Sequence, residues 1–305
     1  MKKITLVLGL LMIAFVGQAQ SLEDYLSKYT KENGKMYLQP FADAFSADFN
    51  SGLFHNARIH KMGFQLYVGI VGQVAMIPSS AKTFQAYTES SLYPPEGPYT
   101  VPTVFGSTDG RIVDVAASGN LLQYSFPGGF DIDYVPLAMP QITIGSVYGT
   151  DFTARYISVD IEDAGKVNVF GWGLRHNIDQ YLPFMPLDLA LGYYHQSFKV
   201  GEYMDAKANV VNLQASYSIP VITVYGGLGY ENSKVNVQYT YEGQDNTDPN
   251  VSAGDQVKFD MKGANTVRLT LGLTFNLGPV KLHGDYNLAK QNTFAVGLGI
   301  GINEK

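Results

Sequence analysis

Three side-chain types that can support nucleophilic hydrolysis occur together in the middle of this chain. A histidine and a serine lie two residues apart in Tyr193-Tyr194-His195-Gln196-Ser197, and Asn209 follows on the next predicted strand. Because alternate residues of a β-strand point to the same face, His195, Ser197 and Asn209 share the apolar faces of their strands. Such a cluster fits either a hydrolytic site or the polar edge of an aromatic belt, and we prefer the belt.

A second set of polar side chains is predicted on the opposite face of the strands. It comprises Arg175, Arg268, Lys281, His283 and Asp285. If the sheet closes into a barrel, these groups point into the lumen, where they either line a water path or pair with each other and with a plug. We favour pairing, because the lumen of a ten-stranded barrel is narrow and fills with side chains.

The C-terminal residues show most clearly which elements carry these side chains. In 267–275 and again in 294–302, every second residue is large and apolar, and the residues between them are mostly small or polar. Similar patterns predict ten strands, at 63–77, 140–149, 151–161, 166–178, 187–199, 207–219, 221–240, 257–276, 279–289 and 292–302. The alternation also fits a secreted soluble β-sandwich, but an even strand number is typical of closed bacterial barrels.

The links between the predicted strands alternate in length. Gly149-Thr150, Ile219-Pro220 and 277–279 are short, whereas 242–256 is long and rich in Asp, Asn and Gly, as expected for periplasmic turns and external loops. Residues 78–133 are rich in Pro and Gly and form either a large loop or a further strand pair near 80–90 and 112–125. The sequence therefore predicts an all-β protein, an antiparallel transmembrane β-barrel of 10–12 strands over residues 61–305.

The N-terminal residues predict export. Two lysines precede an apolar run and then small residues, so residues 1–19 are interpreted as a secretory signal peptide cleaved after Ala19. The chain has no cysteine, which excludes disulfides, and its net charge of −6 argues against a nucleic-acid partner. The five histidines show no metal-ligand spacing, so we expect no metal and no cofactor.

Residues 20–60 are the least strand-like part of the mature chain. Phe41, Ala44 and Phe45 fall on one face of a predicted helix, and Ser21 precedes acidic residues as a helix N-cap does. Short helices before a barrel suit an N-terminal helical plug within the lumen. A periplasmic tail packed outside the barrel is the alternative.

Four segments of the chain carry a resemblance to a known family, at 37–45, 50–55, 101–106 and 285–288. They look like an uncharacterised family of outer-membrane β-barrels from Bacteroidota, and the resemblance covers nearly the whole mature chain. It implies a porin-like architecture and a location in the cell outer membrane, for a family with no established activity. An N-terminal segment before a barrel is also loosely similar to the fatty-acid transporter superfamily, whose members gate hydrophobic substrates with a hatch.

The cluster around His195 resembles outer-membrane phospholipase A, in which a His-x-Ser pair and an Asn on the next strand form a lipid-facing triad. The resemblance implies that His195 is the base, Ser197 the nucleophile and Asn209 the residue that orients the imidazole. Phe198 and Lys199 stand where that family has Asn and often Gly, which counts against its calcium and oxyanion features. We therefore expect no enzymatic activity.

Three functional hypotheses follow from the sequence. The first is passive transport or binding of a small hydrophobic molecule at the outer membrane. The second is a non-transporting structural or adaptor barrel with a closed lumen, whose external loops bind a protein partner that the sequence does not identify. The third is phospholipase-like hydrolysis. Outer-membrane lipid is the expected partner in all three.

Overall fold

The computed structural model describes residues 19–89, 93–161, 165–242 and 253–304, so the predicted signal peptide lies outside the described residues except for Ala19. Two helices come first, and neither is long and apolar enough to cross a membrane. They are α1 (Ala19–Leu26) and α2 (Lys31–Phe49). Fifteen strands follow: β1 (Met62–Met76), β2 (Thr83–Ala86), β3 (Tyr99–Pro102), β4 (Arg111–Asp114), β5 (Gln123–Phe126), β6 (Tyr134–Val147), β7 (Thr150–Ile161), β8 (Gly165–Asn177), β9 (Asp188–Val200), β10 (Met204–Ser218), β11 (Ile222–Thr240), β12 (Gln256–Met261), β13 (Val267–Leu277), β14 (Val280–Leu288) and β15 (Thr293–Ile302).

Ten of these strands form a closed antiparallel ring. Its order is β1, β6, β7, β8, β9, β10, β11, β13, β14 and β15, and β15 pairs back onto β1 with Tyr67 opposite Gly301. The ring, with its two N-terminal helices, confirms the predicted all-β antiparallel barrel and its lower strand number. At the end of the ring where β15 terminates, the links between neighbouring strands are short, except for the link between β8 and β9.

The outer face of the ring carries the apolar rows found in the sequence. In β13 and β15 the large residues are exposed and the small or polar residues between them face the interior, with Leu271 55% and Leu298 58% exposed. A soluble β-sandwich turns such a row into its core, whereas here the row faces away from the lumen. The sandwich alternative is therefore excluded by the direction of the apolar face.

Two predicted strands differ from the structure by more than three residues at a boundary. The predicted strand 257–276 is divided into β12 and β13, because 262–266 leaves the ladder and Asn265 instead bonds to Gln291. β12 pairs only with the part of β11 that extends beyond β13. β6 begins six residues earlier than predicted, since Pro136 and Pro140, which normally interrupt a strand, are both accommodated within it.

The predicted large loop forms an ordered cap over one end of the ring. β2 pairs with β3 and β4 pairs with β5, so the described residues of this region form two small hairpins and add no strand to the ring. We define the cap as residues 77–89 and 93–133 together with α1. Its apolar residues share one core with α2 and with the upper parts of the barrel wall; Tyr29, Tyr37, Val101, Phe126, Phe198, Tyr239 and Phe259 all belong to it.

A half-buried carboxylate, Glu89, joins the cap to the start of α2. Its Oε2 accepts the Thr30 N–H at 2.9 Å and its Oε1 accepts the Thr30 hydroxyl at 2.5 Å. The hydroxyl of Tyr124 lies 3.4 Å from Oε2. Burial raises the pKa of Glu89 above its usual value, and these hydrogen bonds only partly offset the effect.

We expect the cap to dock more tightly as the pH falls from 7 towards 5. A carboxyl group with a raised pKa contributes stability that is fully present below its unfolded pKa and is lost as the pH rises through the folded value. Hydrogen-exchange protection factors of residues 77–89 should therefore rise at lower pH in the wild type and change less in Glu89→Gln. The control is Asp114→Asn, at an exposed carboxylate in the same cap. If the protection factors of the wild type and of Glu89→Gln changed equally with pH, Glu89 would not be the group that controls docking of the cap.

Candidate functional site

The lumen contains the stretch of chain that links α2 to β1. We define residues 45–61 as the lumen segment. At the cap end, the Phe45 ring lies 5.5 Å from the ring of Phe198. At the other end, the Gly149 N–H donates to the Lys61 carbonyl at 2.9 Å, beside the short turn between β6 and β7. The chain therefore enters at the cap, passes through the whole lumen and leaves at the opposite end to begin β1.

Arg155 on β7 holds the middle of the lumen segment by its main chain. Its Nη1 donates to the Ser51 carbonyl at 3.1 Å, and its Nη2 donates to the Gly52 carbonyl. Its Nε donates to Gln141 Oε1 on β6 at 2.8 Å. The side chain is 1% exposed. Because all three contacts are with neutral oxygens, the segment itself supplies the solvation that this buried cation needs.

Arg175 on β8 binds the part of the segment that lies nearer to β1. It forms a bidentate pair with Asp151, with Nε to Oδ1 at 3.0 Å and Nη2 to Oδ2 at 2.5 Å. Its Nη1 donates to the Asn56 carbonyl at 2.6 Å and to Gln214 Oε1 at 3.2 Å. Two opposed charges that are both buried in this way stabilise each other only while their remaining hydrogen-bond sites are filled, and the segment fills one of them.

Arg268 on β13 binds the part of the segment that lies nearer to the cap. Its Nε and Nη2 each lie 3.2 Å from Glu231 Oε1. Its Nη2 also donates to the Ala47 carbonyl at 2.7 Å, and its Nη1 donates to the Ser51 hydroxyl at 2.6 Å. The other oxygen of Glu231 accepts the Asn50 amide at 2.7 Å. Wall and segment therefore share one buried polar network.

Lys281, His283 and Asp285 on β14 are also buried inside the ring. Lys281 Nζ donates to Asn276 Oδ1 at 2.9 Å, and His283 Nε2 lies 2.9 Å from the Tyr67 hydroxyl. Asp285 accepts the Tyr225 hydroxyl at 3.0 Å and the Asn287 amide at 2.6 Å. Together with Arg175 and Arg268, the structure thus places all five sequence-predicted lumen residues in the interior, each with a polar partner.

Sequence reasoning missed Arg155, Asp151 and Glu231. The signal was present, because Asp151 and Arg155 lie four residues apart in a predicted strand and Glu231 lies in another, so alternation could have placed them inside. His55 of the segment was missed too. Its ring stacks on His283 with centroids 5.0 Å apart, and its Nε2 lies 3.3 Å from Glu304.

Gly52 is the point of closest approach between segment and wall. It has a φ of +58°, a conformation that side-chain-bearing residues rarely adopt. A Cβ atom built on it would lie 2.5 Å from Val71 Cγ1 on β1 and 3.2 Å from Ala295 Cβ on β15. The small residues of β15 thus do let the segment come close to the wall.

A small cavity lies among these contacts, with a volume of about 10 Å³ beside Arg268 and Asp285. That volume holds about one water molecule. Within the described parts of the chain, no group of three or more potential metal-ligating side chains is present. Beside Arg268 and Asp285, the lumen segment and the wall are therefore closely packed.

The cluster around His195 lies on the outer face, at the edge of the apolar band. His195 Nδ1 lies 2.8 Å from Asn209 Oδ1, which also accepts the Tyr193 hydroxyl at 3.0 Å. The Ser197 hydroxyl donates to the Phe170 carbonyl at 3.2 Å. Trp172 packs edge to face on Tyr193, with ring centroids 5.5 Å apart. The structure thus contains one of the two hydrogen bonds of a catalytic triad, the one between Asn209 and His195. The serine hydroxyl bonds to a main-chain carbonyl.

The sequence matches the family model DUF6588, a family of unknown function, over residues 1–302. The chain belongs to the DUF6588 family. No curated protein matches this DUF6588 sequence. This membership confirms that the chain belongs to an uncharacterised family, as the resemblance implied. An origin in Bacteroidota and a likeness to fatty-acid transporters stay predictions.

Solved structures similar to the DUF6588 barrel include outer-membrane β-barrels. One is a loop-deletion mutant of OmpT, an outer membrane protein of Vibrio cholerae, with 9% identity, 79% of this chain and 100% of that chain covered, and a TM-score of 0.29. Another is the translocator domain of the autotransporter NalP from Neisseria meningitidis, with 12% identity, coverages of 80% and 90%, and a TM-score of 0.30. A third is Ail of Yersinia pestis, with 10% identity, coverages of 79% and 100%, and a TM-score of 0.23.

Proposed function

We propose that this protein is a non-transporting outer-membrane barrel, closed by its own N-terminal segment, that anchors an ordered cap at the cell surface. The observation that carries the proposal is the binding of the lumen segment by three buried arginines of the wall. They donate to four main-chain carbonyls, those of Ala47, Ser51, Gly52 and Asn56. Main-chain acceptors make this binding independent of most side chains in the segment.

The energy of these contacts favours a fixed segment over a movable one. A hydrogen bond to a charged group contributes about 1.5–3 kcal/mol, more than one between neutral groups. Withdrawal of the segment would break the carbonyl bonds and would leave Arg155 without its two main-chain acceptors. It would also separate α2 from the apolar core that it shares with the cap.

The size of the remaining space argues in the same direction. Pockets that bind small organic molecules usually measure about 300–1,000 Å³. The cavity beside Arg268 and Asp285 is about 10 Å³. Binding of a small hydrophobic molecule at this cavity, as in our first hypothesis from the sequence, would therefore need the lumen segment to move. The proposal assigns no catalytic residue, since the Ser197 hydroxyl bonds to Phe170.

A disulfide between segment and wall tests the proposal. The hydroxyls of Ser51 and Thr293 lie 2.5 Å apart, and the chain has no cysteine of its own, so Ser51→Cys with Thr293→Cys should form one clean cross-link. We expect the reduced and the oxidised variant, and the wild type, to show the same absence of conductance in planar bilayers. They should also show the same absence of hydrophobic-dye uptake into vesicles.

Conductance or uptake by the reduced variant that oxidation abolishes would replace the proposal with transport through a moving segment. An open porin reconstituted in the same bilayers serves as the positive control. Gel mobility before and after reduction shows the extent of cross-linking. The same variant, reduced and oxidised, is its own matched pair.

A further inference from the structure

Three neighbouring strands, β9 to β11, carry polar side chains where the outward apolar band ends. Below this edge the outward residues are apolar or aromatic, as Leu191, Tyr193, Leu213 and Leu228 show. Above it, outward lysine, asparagine and aspartate side chains continue to the top of the wall. We define the rim patch as His195, Ser197, Lys207, Asn209, Asn232 and Lys234.

The strand register arranges the rim patch in two rows. In the lower row, Asn209 on β10 lies opposite His195 on β9 and Asn232 on β11. In the upper row, Lys207 lies opposite Ser197 and Lys234 in the same way. Cross-strand neighbours are close enough for one small group to contact several of them at once.

The lower row is held in one orientation by its own hydrogen bonds. The Asn209 amide nitrogen donates to Asn232 Oδ1 at 3.1 Å, so Asn209 Oδ1 is the acceptor for Tyr193 and His195. His195 Nδ1 must then carry the proton, which leaves Nε2 as a hydrogen-bond acceptor. A fixed imidazole is thus presented at the edge of the apolar band.

The upper row places two like charges opposite each other. Like charges in directly opposed positions of a sheet are destabilising. Lys234 has an exposed partner, with its Nζ 2.7 Å from Asp260. Among the described residues, no carboxylate lies within ion-pair distance of Lys207. Lys207 therefore favours an external anion, which would neutralise its charge and reduce its repulsion with Lys234.

We propose that the rim patch binds the phosphate of an anionic lipid whose acyl chains lie on the apolar band below it. Lys207 supplies the positive charge that has no ion-pair partner, with Lys234 beside it, and the amide nitrogens of Asn209 and Asn232 supply hydrogen-bond donors at the level of the headgroup. A free anion would use only these polar groups, whereas a lipid also uses the aromatic and aliphatic surface directly beneath. The inference rests on the membrane location in the proposed function and is independent of whether the lumen is closed.

The single tryptophan of the chain reports on this patch. Trp172 lies opposite His195 in the register of β8 and β9, with ring centroids 6.2 Å apart. We would reconstitute the full protein in vesicles and measure quenching of Trp172 by brominated phosphatidylglycerol and by brominated phosphatidylcholine. The wild type should be quenched more efficiently by the anionic lipid, and the preference should fall about fivefold in Lys207→Gln, the effect of about one lysine near an anionic surface.

The matched control is Lys258→Gln, which removes the same charge from the outer face of β12, higher on the same wall. It should keep the wild-type preference. Equal quenching by the two lipids in the wild type, or equal losses in Lys207→Gln and Lys258→Gln, would overturn the inference. An emission change of the detergent-solubilised protein with inorganic phosphate alone would overturn the lipid assignment, as would fatty-acid release that Ser197→Ala abolishes. A change in conductance bears on the proposed function only.

Discussion

Replacing Arg268 by methionine is expected to lower the free energy of unfolding by about 3–5 kcal/mol, the usual cost of breaking a buried ion pair from one side. The reason is that Glu231 would stay buried inside the ring while losing both contacts to the guanidinium. The Ala47 carbonyl and the Ser51 hydroxyl would lose a donor at the same time. When samples are heated before gel electrophoresis, the band of the folded form should disappear at a lower temperature than in the wild type. Residues 45–61 should also become accessible to protease.

The double variant Arg268→Met with Glu231→Gln tests this reason. It removes both charges, so we expect it to regain at least half of the stability that the single variant loses. Arg111→Met is the matched control, because Arg111 lies exposed in the cap and donates to the Thr100 carbonyl at 3.0 Å. Its effect should stay within about 0.5 kcal/mol. A double variant no more stable than the single one would show that the ion pair is not the cause.

Gly52→Val is expected to expel the lumen segment from its position, at a cost of about 3 kcal/mol or more. Two effects add: a branched side chain must adopt the φ of +58°, and its Cβ must displace the Val71 methyl group 2.5 Å away. Because Gly52 offers its carbonyl to Arg155, the displacement should also free that arginine. Thermal unfolding and protease accessibility of residues 45–61 measure the result.

Gly278→Val separates the two effects. Gly278, in the turn between β13 and β14, has a φ of +65°, close to that of Gly52, but a Cβ there meets no atom within 4 Å. It should therefore show the backbone strain alone, about 1–3 kcal/mol. If the two variants were equally stable, the wall around Gly52 would be soft and the segment loosely held.

The sequence predicts the barrel wall well, because its signal is local. In β15, the alternation of Phe294, Val296, Leu298 and Ile300 with small residues identifies both the strand and its outer face, and the structure places the strand at Thr293–Ile302. Each such row depends only on residues two apart along the chain. The boundary of β6 fails for the same reason, since Pro136 and Pro140 are locally unfavourable and are tolerated through pairing with β1.

The contacts inside the lumen could not be predicted from local patterns. Arg155 and Ser51 are 104 residues apart in the chain, and Arg268 and Ala47 are 221 apart. Alternation indicates that an arginine points inward, but it does not indicate which carbonyl of the N-terminal segment lies opposite. Which carbonyl meets which arginine depends on the position of the segment along the axis of the ring. The packing of α2 beneath the cap fixes that position.

The seam of the ring lies between its first and its last strand, β1 and β15. Because β15 pairs with β1, the wall is an open sheet unless Thr293–Ile302 is in place. The lumen segment lies inside the closed ring and is bound by arginines on three different strands, β7, β8 and β13. The wall therefore surrounds the segment on all sides, so the segment can leave sideways only if the pairing of Tyr67 with Gly301 opens.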